Sequence, residues 1–156
     1  MNMEIKVGIG LGDITFGSSK SNVKNIIGEP DEIEKLDVPV DDEEILLEQW
    51  HYDDMELSVS FELDDNEVLD TIAVSSSDYT INGISIIGKN INEINDLLIS
   101  LQLGTFEKED LSDEEEKTIV FRFIENNMNF WFEDDILSEI QWGPVFLNEP
   151  PVIFPN

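Results

Sequence analysis

Chemistry needs reactive side chains that can reach one another, and this chain offers few. Its one histidine, His51, lies between Trp50 and Tyr52, and it has no cysteine. With no second histidine or thiol, neither a nucleophile–base–orienter triad nor a transition-metal site of the usual His/Cys composition can be assembled. Carboxylates are abundant, as in the pairs Asp41/Asp42, Asp53/Asp54 and Asp134/Asp135. Among 36 acidic residues such pairs arise from composition alone, and none is singled out for acid–base work across a cleft. The run DDNEVLD at 64–70 lacks the central glycine of a calcium loop. GIGLGD at 8–13 has neither the full G-x-G-x-x-G spacing nor a strand–loop–helix setting for a phosphate. The expectation is no catalytic set, no cofactor and no metal site.

The charge points to binding instead. Eight Lys and Arg against 36 Asp and Glu leave a formal net charge of −28. Such a chain repels nucleic-acid backbones and anionic membranes, so the expected partner is a cationic protein and neither of those surfaces. The opening MNMEIKVGIGLGD is broken by glycines and does not read as a signal peptide, and no run is long enough to span a bilayer. These features predict a soluble, cytoplasmic protein. Its 156 residues, 40% of them hydrophobic, suit a single domain with a substantial core.

The elements that must position any site are organised by an internal repeat. A shift of 71 positions lays LGDITFG (11–17) on NGISIIG (82–88). It also lays Val23, Ile26 and Ile27 on Ile94, Leu97 and Leu98, and Trp50 and Tyr52 on Phe121 and Phe123. Leu57, Val59 and Phe61 fall on Met128, Phe130 and Phe132. Each copy reads as a helix capped at Ser21 or Asn92, then three antiparallel strands of period-two alternation. Gly28 and Pro30 end the first helix. Acidic turns are expected at 64–66, 125–127 and 133–135. The acidic stretches 38–44 and 107–117 are expected as solvated loops or short helices. The predicted fold is α+β: two tandem helix-plus-antiparallel-meander units, about 10–75 and 81–142, with the helices on one face of the sheet. A proline-rich tail, 143–156, is expected to run extended over the domain.

The first unit carries F-G-x-x-x-S-x-V-x-x-I-I-G-E-P (Phe16 to Pro30), then W-x-Y (Trp50, Tyr52), E-L-x-V-x-F (Glu56 to Phe61) and V-L-x-x-I (Val68 to Ile72). This pattern resembles the helix-plus-meander module shared by the β-lactamase inhibitor proteins and the outer-membrane assembly lipoprotein BamE. The second copy departs from it, with no G-x-P after its helix and phenylalanine for both aromatics. The resemblance implies a protein-binding role through the sheet face and its loops. The absent lipidation cysteine, disulfides and export signal suit a cytoplasmic relative, such as an immunity protein of a bacterial toxin system.

Strand alternation assigns the faces. Leu57, Val59, Phe61, Ile72, Val74, Phe121, Phe123, Met128, Phe130, Phe132, Ile140 and Trp142 are expected in the core. The opposite face receives His51, Glu56, Ser58, Ser60, Thr71, Arg122, Asn129, Trp131, Glu139 and Gln141. Trp131 is the one large apolar residue there and is the expected anchor, because aromatics ringed by polar groups dominate interface energetics. With Asp53 and Asp54, the members of this set other than His51 are the candidate partner-binding residues. The leading expectation is an immunity protein that neutralises a basic bacterial toxin, a nuclease among the candidates. The alternatives are a BamE-like assembly module and a metal-dependent ligand-binding domain.

Overall fold

The computed structural model describes residues 3–63 and 67–145. The chain opens with three two-residue strands, β1 (Ile5–Lys6), β2 (Gly10–Leu11) and β3 (Ile14–Thr15), that form a small antiparallel sheet. Helix α1 (Lys20–Ile27) follows, then strands β4 (Glu32–Val40), β5 (Glu43–Tyr52), β6 (Leu57–Glu62) and β7 (Leu69–Val74). A short hairpin, β8 (Thr80–Ile81) and β9 (Ile84–Ser85), leads into helix α2 (Ile91–Leu101). Strands β10 (Glu107–Asp110), β11 (Thr118–Phe123), β12 (Met128–Glu133) and β13 (Ile136–Trp142) complete the described chain.

This arrangement corrects the expected fold class. The described residues are mostly β, with two α-helices and one short 3-10 turn (Ile124–Asn126) among them, and they do not form two tandem helix-plus-meander units. One continuous eight-stranded antiparallel sheet runs in the order β10-β11-β12-β13-β7-β6-β5-β4. β13 and β7 join its halves through the pairs Ile140–Val74, Gln141–Ala73 and Trp142–Ile72. Neither half therefore has two free edges, and one hydrophobic cluster, from Ile5 to Trp142, runs through both. The acidic stretches are also corrected. Residues 38–44 are the end of the β4–β5 hairpin, and 107–110 form the edge strand β10. Carboxylates on a solvent-facing strand lose no hydration, so a high density of acid does not prevent pairing. It also guards the edges: Glu32, Glu34, Lys35 and Asp37 on β4 and the whole of β10 are exposed, which discourages pairing with another chain.

All twelve residues expected inward are buried in that cluster. The helices start two residues earlier than predicted. Ser19 caps α1 by accepting from the Asn22 N–H, and Asn90 caps α2 in a reciprocal box with Glu93. The α1 stop is at Gly28, as its φ of 88° allows. Tyr52 donates its phenol O–H to the Gly28 carbonyl at 2.9 Å, so the W-x-Y strand pins the helix end. The turn expected at 64–66 and tail residues 146–156 lie outside the described residues. Within the described part of that tail, 143–145, Val145 donates its N–H to the Gly8 carbonyl.

Lys20 ties α1 to the sheet. Its ammonium lies 3.1 Å from both Glu48 of β5 and Glu67, and Trp50 donates its indole N–H to Glu48 at 2.8 Å. Burial pushes the Glu48 carboxyl up, but the hydrogen bonds from Trp50 and Lys20 outweigh it and hold the group below the usual 4.5. A carboxyl depressed on folding contributes stability that is complete above its unfolded value and is lost as pH falls through the folded one. Glu48→Gln is therefore expected to cost roughly 1–3 kcal/mol at neutral pH. It should also flatten the acid limb of the stability curve below about pH 4.5. Urea midpoints between pH 3 and 7 test this, and equal acid sensitivity in both proteins would refute the assignment.

Candidate functional site

The face of the sheet opposite the core carries one row of paired residues across all eight strands. In order, these are Glu107, Arg122, Asn129, Gln141, Ala73, Ser58, His51 and Glu32, each in register with the next. Strand pleating puts them on one side. The row is symmetric in character: a carboxylate at each end, then a residue able to carry positive charge, then polar residues, and alanine near the centre.

Toward the β10 edge the next rank holds Glu109, Val120, Trp131 and Glu139. Arg122 donates to Glu109 at 2.9 Å, and its guanidinium lies 5.9 Å from the centre of the Trp131 ring, within cation–π range. Trp131 is half-buried, and its indole N–H is shielded from solvent with no acceptor. Val120 beside it is fully buried although it lies outside the main core. Toward the β4 edge His51 makes the matching clamp, with Nδ1 2.7 Å from the Ser58 hydroxyl and Nε2 3.2 Å from Glu34. Gln49 donates to Ser60 at 3.2 Å.

A cavity of about 400 Å³ opens on this face where β7 and β13 part. Their ladder ends at Ile140–Val74. Beyond it Ser75 turns to bond the Glu56 carbonyl, so Glu139 has no neighbour on β7. Its lining includes His51, Ser58 and Ala73 together with Glu32, Asp53, Glu56 and Glu139. Glu56 gets there from the β5–β6 turn with φ 48°, not from the strand alternation that predicted its face. A smaller cavity at the other end of the same seam is lined by Thr71, Asn129 and Gln141.

The candidate residues are thus distributed unevenly. Arg122, Asn129 and Gln141 share the long row with Ser58, and Trp131 and Glu139 face each other in the next rank. Asp53 and Glu56 reach the face through the larger cavity, while Asp54 is exposed in the same turn outside it. Ser60 is 5% exposed and gives a partner almost nothing to touch. Sequence reasoning missed Glu32, Glu34, Gln49 and Glu109, because their strands were read as loops or left unpaired. It also missed Val120 and Ala73, although both fall on the same alternation as Arg122 and Thr71.

No family model, curated protein or solved structure matches this chain. Among the described residues no helix is long and apolar enough to cross a membrane. No group of three or more His, Asp or Glu side chains among them is placed to hold a metal ion.

Glu139 has the most consequential electrostatics. Burial and the nearby Glu133 carboxylate both raise its carboxyl above the usual 4.5, and no cation among the described residues forms an ion pair with it. A carboxyl raised on folding is penalised when ionised, and the penalty fades as pH falls through the raised value. Glu139→Gln is therefore expected to stabilise the protein at pH 7, with the gain shrinking as pH falls toward about 4.5 and absent below it. Thermal denaturation at the two pH values tests it. A loss of stability at pH 7 would mean that the carboxylate has a cationic partner in the free protein.

Proposed function

We propose that this chain is a protein-binding inhibitor, an immunity protein whose polar sheet face grips a basic bacterial toxin in the cytoplasm. The observation that carries the reading is the eight-residue row with Trp131 beside it, a continuous hydrophilic surface with one half-buried aromatic anchor on a chain of net charge −28. An aromatic ringed by polar groups is the usual composition of a binding hot spot. The acids on this face and at its edges match the cations that a phosphate-handling protein, such as a nuclease, displays.

Physically, the charge steers encounter and the aromatic holds the complex. Electrostatic complementarity can bring association to ~10⁸–10⁹ M⁻¹s⁻¹ at low ionic strength, falling steeply as salt is added. The immobilised protein should capture a basic protein from its host, with an association rate that drops at least about tenfold between ~20 mM and ~300 mM salt. Co-expression should relieve whatever toxicity the captured protein causes. Recovery of no basic protein, or a salt-independent association rate, would overturn the reading.

A further inference from the structure

The open face of the sheet does not stay polar to its end. From His51 toward the tip of the β4–β5 hairpin, strand alternation puts Gln49, Leu47 and Ile45 of β5 on that face, beside Glu34, Leu36 and Val38 of β4. The ladder between β5 and β6 ends at the pair Leu47–Glu62, so the outer part of the hairpin is a two-stranded ribbon beyond the body of the sheet. Leu36 lies opposite Leu47 and Val38 opposite Ile45, which gathers the four side chains into one cluster. Each is only partly buried, and none belongs to the hydrophobic core or packs against it. The reverse side of the ribbon carries the exposed Asp37, Pro39 and Glu44 around a single leucine, Leu46.

Resting on the binding reading, we infer that this ribbon face is a second contact for the basic partner, taking a segment whose aliphatic side chains are flanked by lysine or arginine. The cluster supplies apolar surface that gains by leaving water, and its surroundings select the charge of what covers it. Asp37, Asp41, Asp42, Glu43 and Glu44 are all exposed on the same hairpin. None of them enters an ion pair among the described residues. The hairpin's one lysine, Lys35, lies on the other side, in register with Glu48. A second copy would set the same acids against each other on chains of net charge −28. Residues 146–156 contain no lysine or arginine, so they too would leave those carboxylates unmatched. A cationic segment with aliphatic side chains satisfies both features at once. The cluster also adjoins His51 and Glu34 on the same face, so a partner lying along the polar row reaches it without crossing an edge.

The experiment is an NMR titration of the whole protein with a capped heptapeptide of alternating lysine and leucine, at about 100 mM salt, where screening acts within about 10 Å. A lysine–serine heptapeptide of the same charge and a glutamate–leucine heptapeptide run alongside. Saturable shifts at the Leu36, Val38, Ile45 and Leu47 amides are expected with lysine–leucine, a response about tenfold weaker with lysine–serine, and none with glutamate–leucine. Val38→Thr combined with Ile45→Thr keeps β-branched residues in the strands and should weaken lysine–leucine binding by about tenfold. Ile99→Thr, at a 91% exposed position on α2, should leave it unchanged. Thermal denaturation of both variants confirms that they are folded.

An equal response to lysine–serine, or indifference to the hairpin substitutions, would overturn the contact. So would concentration-dependent shifts at these amides in the protein alone, which would assign the face to a second copy. Shifts there on deleting 146–156 would assign it to the chain's own end and overturn it equally. Failure of the inhibitor reading is separable. A captured basic protein that binds the hairpin variant as well as the parent removes the contact and keeps the inhibitor. Lysine–leucine peptide seated on the hairpin with no basic protein captured does the reverse.

Discussion

Trp142→Ala is expected to bring the protein close to its unfolding threshold. The indole is 1% exposed at the end of β13, in register with Met128 on one side and Ile72 on the other. Its N–H donates to the Gly10 carbonyl at 3.1 Å, linking the last strand of the sheet to the small N-terminal sheet. Loss of this side chain removes core volume at the seam between the halves, and such truncations cost ~3–5 kcal/mol. Small domains hold only ~5–15 kcal/mol in total. Trp142→Phe separates the two contributions: it keeps most of the apolar contact and loses the hydrogen bond, for about 1 kcal/mol. Urea titrations of the three proteins should show the midpoint falling in that order with little change in slope. The receiving end is equally constrained, since a Cβ on Gly10 would run into the Ile14 carbonyl. If Trp142→Ala costs no more than Trp142→Phe, the seam is not where the halves are held together.

Trp131→Ala should have the opposite profile, with little effect on folding and a large effect on binding. The ring is half-buried on the polar face and contacts Arg122 rather than the main core. Aromatic anchors in protein interfaces cost ~2 kcal/mol or more when truncated, about a thirtyfold loss of affinity. Arg122→Ala should cost less, because an exposed cation–π contact contributes only ~0.5–1 kcal/mol. Trp131→Phe is the informative intermediate. It removes an N–H that is shielded without an acceptor in the free protein, so stability should hold or rise while affinity for the captured basic protein falls. Calorimetric titration against that protein, paired with urea midpoints, gives both readouts. Unchanged affinity in Trp131→Ala would move the interface away from this face.

Much of the packing was legible in the sequence. Alternation in LSVSFE (57–62) and MNFWFE (128–133) places Leu57, Val59, Phe61, Met128, Phe130 and Phe132 inward, and all six are buried. This works because the two-residue period of a strand is a local property, set by the backbone of each segment alone. The helix stop at Gly28 was legible for the same reason, as its cap is made within a few residues. The caps at Ser19 and Asn90 were missed by two positions because Ser21 and Asn92 have equivalent side chains. The choice between them depends on where the chain leaves the sheet: Ser19 bridges Val68 and Asn90 bridges Ile136.

The sequence by itself determined the absence of thiol chemistry, the overwhelming negative charge, the inward side of each apolar strand and the identity of the lone aromatic on the polar side. Only the tertiary structure decided that the acidic stretches pair as strands and that β7 and β13 join the halves into one mostly-β sheet. It also decided that Glu139 stands unpaired beside a cavity. The physical reason is that strand pairing is made by main-chain hydrogen bonds common to every residue but proline, between segments far apart in the chain. Side-chain type sets which way a strand faces, but not which strand it lies beside. A cavity formed where two strands part therefore has no signature in either strand read alone.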